Sequence, residues 1–348
     1  VSDEPATRPV GRLDDELVTV VIPARNEESS IGSCLGSVLG QDHQNLQVIV
    51  VDGASTDATP ALVQEAAERD PRVELLTNTS GAIPISLNLG LAAARSRWFV
   101  RVDAHSTIPP DYVRTLVGEL ATGRWGGVGG RKDAVASTRM GKAIATALGS
   151  RAGVGNSAYH YAQTPREVDH VPFGVYPVAL LRDLGGWDER LEANEDFELD
   201  HRLRGQGYAL LLDPSVRISW RCRETLGGLF QQYRRYGRGK ADVAKLHPGS
   251  LKARHLAAPA LVAAAVPWAV LVAAQPSLGL GLAALYPAFL LVSGTTLAVR
   301  AGDPASGLRI AAAVGTMHVA WGLGFWSGVL RPGAARTEDV LTTTLGGR

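Results

Sequence analysis

The chain has 348 residues, enough for one or two domains, with 35 Lys+Arg against 34 Asp+Glu. A net charge of +1 argues against the basic excess of a nucleic-acid binder, and two distant cysteines, Cys34 and Cys222, exclude a disulfide scaffold or cysteine-rich zinc module. The mean hydropathy of +0.03 averages a charged stretch up to about residue 250 with a nearly continuous apolar one from Leu256 to Leu330, too much apolar surface for a disordered chain.

Residues 1–16 are polar, carry no signal-peptide apolar core, and read as a flexible arm before a folded part that begins near Leu17. From there β-branched runs alternate with helical stretches. Residues 18–23, 47–52, 73–76 and 98–103 read as strands. Residues 27–39 and 85–95 read as helices, and Thr59-Pro60 opens another, as N-cap followed by Pro. Glu27 and Glu28 suit the positive N-terminus of the first helix. The alternation predicts an α/β fold with a mostly parallel sheet covered on both faces. Ligands of such sheets bind beyond the carboxyl ends of the strands, where Pro23-Ala24-Arg25, Asp52 and Asp103 all fall. No Gly-X-Gly-X-X-Gly follows the first strand, which argues against a dinucleotide oxidoreductase.

The run Gly126-Gly127-Val128-Gly129-Gly130-Arg131 demands close backbone approach or unusual dihedrals. A charged helical stretch lies within 191–207. Residues 226–240 form an amphipathic helix, with Leu226, Leu229, Phe230, Tyr233 and Tyr236 on one face. Arg234, Arg235, Arg238 and Lys240 line the other, a pattern suited to a membrane surface. Three apolar segments follow, at 256–274, 278–299 and 308–330, each near the ~20 residues that cross a bilayer. Lys252, Arg254, Arg300 and Arg309 flank the first entry and the second break. The positive-inside rule then places the charged domain in the cytoplasm, attached to the inner membrane by a multi-pass anchor.

Three motifs occur in order: Val-Ile-Pro-Ala-Arg-Asn-Glu-Glu, Val-Ile-Val-Val-Asp-Gly-Ala-Ser-Thr-Asp and Val-Arg-Val-Asp-Ala-His. Together they resemble glycosyltransferase family 2, inverting enzymes of the GT-A nucleotide-sugar-binding fold, over about residues 18–240. Within that family the Asp-Ala-His motif and the apolar C-terminal segments are most similar to membrane-attached enzymes of the succinoglycan-biosynthesis type. The resemblance implies a nucleotide-sugar donor, UDP-linked, and a lipid-linked or glycan acceptor in exopolysaccharide or cell-envelope synthesis, with membrane lipids as further partners.

A departing nucleoside diphosphate develops negative charge that something positive must meet, and a divalent cation on carboxylate and phosphate oxygens does so. Asp103 and His105, two apart in extended chain, point the same way and could share one metal. His105 replaces the second Asp of the family's usual Asp-X-Asp, and imidazole favours Mn²⁺ over Mg²⁺. By resemblance Asp52 meets the nucleoside, with Gly53 where relatives often carry a second Asp, and Pro23, Arg25 and Glu27 line the donor crevice. At Ser86-Leu87-Asn88-Leu89-Gly90, Leu87 stands where many relatives have Arg. In Asn194-Glu195-Asp196, Asp196 matches the family's general base and Glu195 assists positioning. Gln232-Tyr233-Arg234-Arg235-Tyr236 matches Gln-X-X-Arg-Trp except for Tyr236, which implies Arg235 on the diphosphate and Gln232 and Tyr236 at the acceptor. Trp187 lies where relatives pack under the acceptor site. His160, His170 and His201 have no partner by spacing, and Cys34 falls on an apolar helix face.

The expected organisation is an arm 1–16, a catalytic domain 17–225, an amphipathic interface region 226–250, a membrane domain 251–331 of about three transmembrane helices, and a tail 332–348. Two other readings stay open: a processive polysaccharide synthase, and a non-catalytic membrane-bound nucleotide-sugar-binding protein. The absence of charge within the membrane depth of the apolar segments, Arg309 standing at the edge of the last, disfavours a transporter.

Overall fold

Four of the β-branched runs form adjacent parallel strands, β1 Val18–Ala24, β2 Leu46–Asp52, β3 Val73–Thr77 and β4 Trp98–Arg101, in the order β3-β2-β1-β4. The computed structural model describes residues 15–331, so nearly all of the expected arm and the whole tail 332–348 lie outside the described residues. Side chains alternate across the sheet. Val20, Ile22, Val48 and Val50 share a core with Ile31, Cys34, Leu35 and Val38 of α1 Ile31–Leu39 and with Val63 of α2 Thr59–Arg69. Val21, Ile49 and Val51 join Leu87 and Leu91 of α3 Ile83–Ala93 on the opposite face. Both faces are buried, so each strand reads as a continuous apolar run.

Helix α1 starts four residues later than expected. Asn26 takes φ 55°, and the N–H groups of Ser30 and Ile31 both donate to the Glu27 carbonyl in a turn (2.9 and 2.8 Å). Glu27 and Glu28 therefore lie in the entry loop, free to meet other segments. Thr59 is the first residue of α2, and Ala58 is its N-cap.

Beyond β4 the sheet becomes mixed. The chain continues through β5 Ser106–Thr107, α4 Tyr112–Ala121, β6 Trp125–Val135, α5 Arg139–Leu148, α6 Arg151–Val154, β7 Arg166–Glu167, β8 Val175–Pro177, α7 Val178–Asp183, α8 Glu195–Gly205 and β9 Ala209–Arg221. The three-residue β8 inserts antiparallel between β4 and β6, while β6 runs parallel to β9. The glycine run lies in β6, and close approach is its reason. A Cβ on Gly127 would sit 2.6 Å from Tyr176 Cε1, and one on Gly130 2.9 Å from the Val216 carbonyl.

The turn after β9 is fastened to the start of α5 by Glu224, whose carboxylate accepts from the N–H groups of Ser137 (2.9 Å) and Thr138 (2.8 Å). These bonds lower the Glu224 carboxyl from 4.5 to about 2. A carboxylate depressed in the folded state contributes stability above its unfolded value and loses it as pH falls towards the folded one. The gap in melting temperature between wild type and Glu224→Gln is thus expected near neutral pH and to close as pH falls from about 4.5 towards about 2. A gap that does not change with pH would contradict this.

Helix α9 Leu226–Leu246 leads to α10 Ala257–Ala263, α11 Ala265–Ala274, α12 Pro276–Ala283, α13 Leu285–Arg300 and α14 Gly307–Leu330. Two segments, Pro276–Arg300 and Pro304–Leu330, are long and apolar enough to cross a membrane. The pair α10–α11, bent by 41°, makes a third if taken as one span. Within the protein 11% of the apolar window of Pro276–Arg300 is buried, against 56% for Pro304–Leu330. Helix α14 is therefore bound to the rest of the chain, and α12–α13 present their apolar surface outward.

Helix α14 packs on α9 and α5. The α9–α14 contact is backbone to backbone: a Cβ on Gly237 would run into the Trp321 carbonyl, and one on Gly324 into the Arg234 carbonyl. Small residues permit such close helix pairs. The apolar face of α9, including Leu229 and Tyr233, is thus covered by protein, while Arg234 and Arg235 stay exposed. Lys240 departs from the expected basic face and is buried. It follows Tyr233 by seven residues, two helical turns, and so shares the inner face. Gly237→Ala is expected to force α9 and α14 apart and to cost about 1–3 kcal/mol, read as a lower melting temperature in detergent. Gly227→Ala, with open space around its Cβ, is the control.

Candidate active site

Pairing of β1 with β2 sets Ala24 beside Asp52, and pairing of β1 with β4 sets Val21 beside Arg101. The carboxyl ends of three neighbouring strands thus bring Pro23-Ala24-Arg25, Asp52 and Asp103 to one edge. Asp52 is buried; its Oδ2 accepts from the Ser55 N–H (3.1 Å), and its Oδ1 has no hydrogen-bond partner. Pro23 is half-buried and Arg25 exposed. The Arg25 guanidinium lies against Gly81, where a Cβ would come within 2.5 Å of Nη1. A Cβ on Gly53 would meet the Ala24 carbonyl at 3.3 Å, a tight contact.

The centre of the site is Arg101, which the sequence reading did not single out. It is 4% exposed at the end of an otherwise apolar strand. Its Nε donates to Asp103 Oδ1 (3.1 Å), and its Nη1 meets Glu195 Oε1 (3.1 Å) and Asp196 Oδ1 (2.5 Å). Burial opposes its charge, but Asp103, Asp196 and Glu195 outweigh burial and hold its pKa well above the usual range. Burial likewise raises Asp103, yet Arg101 and His105 bring that carboxyl below its ordinary value. Glu195 stays raised, because burial and Asp196 exceed the pull of Arg101.

Helix α8 supplies Glu195 and Asp196 from its first turn. Asn194 precedes them at φ 64°, and its Nδ2 donates to the Tyr236 carbonyl (2.8 Å), tying α8 to α9. The indole Nε1 of Trp187 donates to Asp196 Oδ1 (2.8 Å). Trp187 is buried against Phe99, so it orients the carboxylate from below.

Lys132 of β6 is a second cation absent from the sequence reading. Its Nζ lies 4.1 Å from the Trp220 ring and 4.5 Å from that of Phe173, and burial lowers it to about 8 against the pull of Asp103. Gln232 is buried with Oε1 unpaired, Tyr236 is half-buried, and Arg235 is exposed at the cavity wall. His170, without a partner by spacing, meets Asp200 thirty residues away, its Nδ1 2.7 Å from the accepting Oδ2. Cys34 is buried in the core. A buried arginine in an apolar strand is a signal in itself, since it demands acidic partners. Nothing local marks Lys132 or the His170–Asp200 pair.

Among the described residues no group of three or more His, Cys, Asp or Glu is placed to hold a metal. Strand β4 ends at Arg101, and Asp103–Ser106 form a turn in which the Ser106 N–H donates to the Asp103 carbonyl (2.9 Å). The expected extended spacing therefore does not hold, and Asp103 and His105 are a two-donor set presented by a turn. Glu27 Oε1 is 3.0 Å from His105 Nδ1, an arrangement that leaves Nε2 as the donor atom, as carboxylate–histidine pairs do at metal sites. Hydrogen bonds from His105 and Ser30 hold Glu27 below the usual range despite burial. Two protein donors fit a cation whose other ligands are phosphate and water oxygens.

Gln232, Arg235 and Tyr236 line a cavity of about 1430 Å³ together with the Arg101 cluster, whereas Pro23, Arg25, Glu27, Asp52 and Trp187 lie outside its lining. It contains Arg101, Asp103, His105, Lys132, Glu195 and Asp196 at one end, and it extends to Leu261, Tyr286, Phe289 and Trp321 of the C-terminal helices.

A sheet edge of converging strand ends, clustered acids and appended apolar helices are joined here in one chain, and the profile described as glycosyl transferase family 2 matches residues 19–183. The chain belongs to glycosyl transferase family 2 and is a glycosyltransferase related to succinoglycan biosynthesis. Among relatives, the succinoglycan biosynthesis protein ExoA of Rhizobium meliloti is 32% identical over 91% of this chain and 97% of its own length. A dolichyl N-acetyl-α-D-glucosaminyl phosphate 3-β-D-2,3-diacetamido-2,3-dideoxy-β-D-glucuronosyltransferase of Methanococcus voltae is 24% identical over 64% of this chain and 72% of its own. Among solved structures, the mannosyltransferase PcManGT of Pyrobaculum calidifontis, in complex with GDP-Man and Mn²⁺, superposes with a TM-score of 0.57 at 24% identity, over 86% of each chain. It shares the fold.

Proposed function

We propose that the chain is a membrane-anchored, inverting, metal-dependent glycosyltransferase. It moves a sugar from a nucleotide sugar, UDP-linked, to a hydroxyl of a lipid-linked or glycan acceptor in exopolysaccharide or cell-envelope synthesis. The observation that carries the reading is the gathering of Asp103, Glu195 and Asp196 around Arg101 in a cavity that reaches the apolar helices.

Asp52 Oδ1, buried and unpaired, accepts an N–H of the base. Arg25 and Arg235 meet the phosphates, guanidinium matching phosphate oxygens. Asp103 and His105 would hold a divalent cation, Mn²⁺ in preference to Mg²⁺, which when bound would offset charge on the departing diphosphate. Trp187 and Arg101 both engage Oδ1 of Asp196 and leave Oδ2 for the acceptor hydroxyl proton. Direct displacement by that hydroxyl, opposite the diphosphate, inverts the anomeric centre. Glu195, Gln232 and Tyr236 position the acceptor. The catalytic region, 17–225, would face the cytoplasm, with 226–250 at the bilayer surface and 251–331 within it, consistent with Arg300 and Arg309 around the last break.

The test is donor turnover by the detergent-purified chain. UDP-, GDP- and dTDP-sugars are offered with Mn²⁺, Mg²⁺ or chelator and a membrane-lipid extract, and released nucleoside diphosphate is measured. Release from one donor, lost with chelator, is expected, and His105→Ala should abolish the Mn²⁺ preference. Tight donor binding without turnover would instead favour a non-catalytic binding protein. Product of many sugars per acceptor would favour a processive synthase.

A further inference from the structure

The other end of the cavity holds a charge constellation that the transfer chemistry does not use. Helix α8 runs along the cavity wall, and Arg204 follows Asp196 by eight residues, about 12 Å of helix rise. Lys240 of α9 and Lys252 and Arg254, in the segment before α10, gather near it. Three of these four cations pair with one carboxylate, Asp169. Lys252 Nζ lies 2.7 Å from it, Arg254 Nη2 2.5 Å and Arg204 Nη1 3.5 Å. Of the other acids nearby, Asp200 is taken up by His170, Tyr176 and the Val171 N–H, and Glu167 lines the cavity but is exposed.

The charge is not satisfied. Lys240 is 4% exposed, its Nζ 3.4 Å over the Phe197 ring, and it donates one hydrogen bond, to the Ser250 carbonyl (3.2 Å). Arg204 Nε is buried without an acceptor. Burial, reinforced by Arg254 and Arg204, lowers Lys240 to about 7. Lys252 and Arg254 are exposed and paired with Asp169, so the unmet charge is that of buried Lys240 and half-buried Arg204. A buried cation without a counterion is costly unless an anion joins it. Beside the cluster the wall turns apolar, through Ala257, Ala258 and Leu261 of α10 and Phe289 of α13.

We propose that Arg204, Lys240, Lys252 and Arg254 form a second anion site, separate from the donor diphosphate, which holds the phosphate of an acceptor carrying an apolar chain. The chain lies along α10 and α13, and the glycan spans the distance from Arg204 to Asp196, which leaves room for a short saccharide. The direction of the glycan rests on the transferase reading; the anion site does not.

The test uses the full chain in detergent with UDP and GDP at saturation to fill the donor site. Affinities are measured for farnesyl diphosphate, inorganic pyrophosphate and farnesol. Farnesyl diphosphate is expected to bind with nucleotide present, and pyrophosphate and farnesol each about tenfold more weakly or worse. Arg204→Gln and Arg254→Gln should each weaken farnesyl diphosphate by about tenfold, with nucleotide affinity and melting temperature kept, and Arg204→Lys should restore part of the loss. Displacement of farnesyl diphosphate by nucleotide, or wild-type affinity in both Gln variants, would overturn the site. Pyrophosphate binding as tightly as farnesyl diphosphate would overturn its lipid assignment in favour of free phosphate. Failure of the transferase reading would appear separately, as absent donor turnover with farnesyl diphosphate binding intact.

Discussion

Asp196→Asn is expected to lower kcat by roughly 10²–10⁴-fold and to leave nucleotide affinity nearly unchanged. The amide matches the carboxylate in shape. Its oxygen can still accept from Trp187 Nε1 and from Arg101, so the pocket keeps its form. What it cannot do is take a proton from the acceptor hydroxyl. Donor turnover and nucleotide binding, measured side by side, separate these effects. Activity within about tenfold of wild type would move the base elsewhere. Glu195 would then be the next candidate, because burial and Asp196 already raise its carboxyl.

Replacing Arg101 should have the largest effect on stability. Arg101→Met leaves Asp103, Glu195 and Asp196 close together without the guanidinium that pairs with all three. Removing one side of such a buried network costs about 3–5 kcal/mol. The pH dependence has a definite sign. Without Arg101 the buried carboxylates bind protons more readily in the folded than in the unfolded state. The folded state then gains as pH falls, so the loss should shrink from neutral pH towards about pH 5. Denaturant melts of wild type and variant across that range decide it. Arg101→Lys should fall between them, since one ammonium cannot reproduce the fork that reaches three acids. A wild-type melt for Arg101→Met would show that the network contributes nothing net.

The parallel half of the sheet was legible because doubly covered strands announce themselves as apolar β-branched runs. The strand ends then located Pro23, Arg25, Asp52 and Asp103 without further information. The mixed half was not legible. The three residues of β8 are too few to show a period, and their antiparallel insertion between β4 and β6 depends on partners far along the chain. The shift of α1 has a local cause in the backbone of Asn26, which propensity does not report. Lys240 was misplaced because a charged residue on an amphipathic helix was assigned to the outer face, whereas its spacing from Tyr233 puts it on the inner one.

By itself the sequence determined the family, the order of strands and helices in the first hundred residues, and the presence of apolar segments long enough for a membrane. These depend on local composition and on short motifs. Tertiary structure decided which charges meet. Asp103, Glu195 and Asp196 converge on Arg101 across more than ninety residues of chain. His170 finds Asp200, and Arg204, Lys252 and Arg254 all pair with Asp169. A charge buried at low dielectric is defined by its neighbours in space, and spacing along the chain does not encode them.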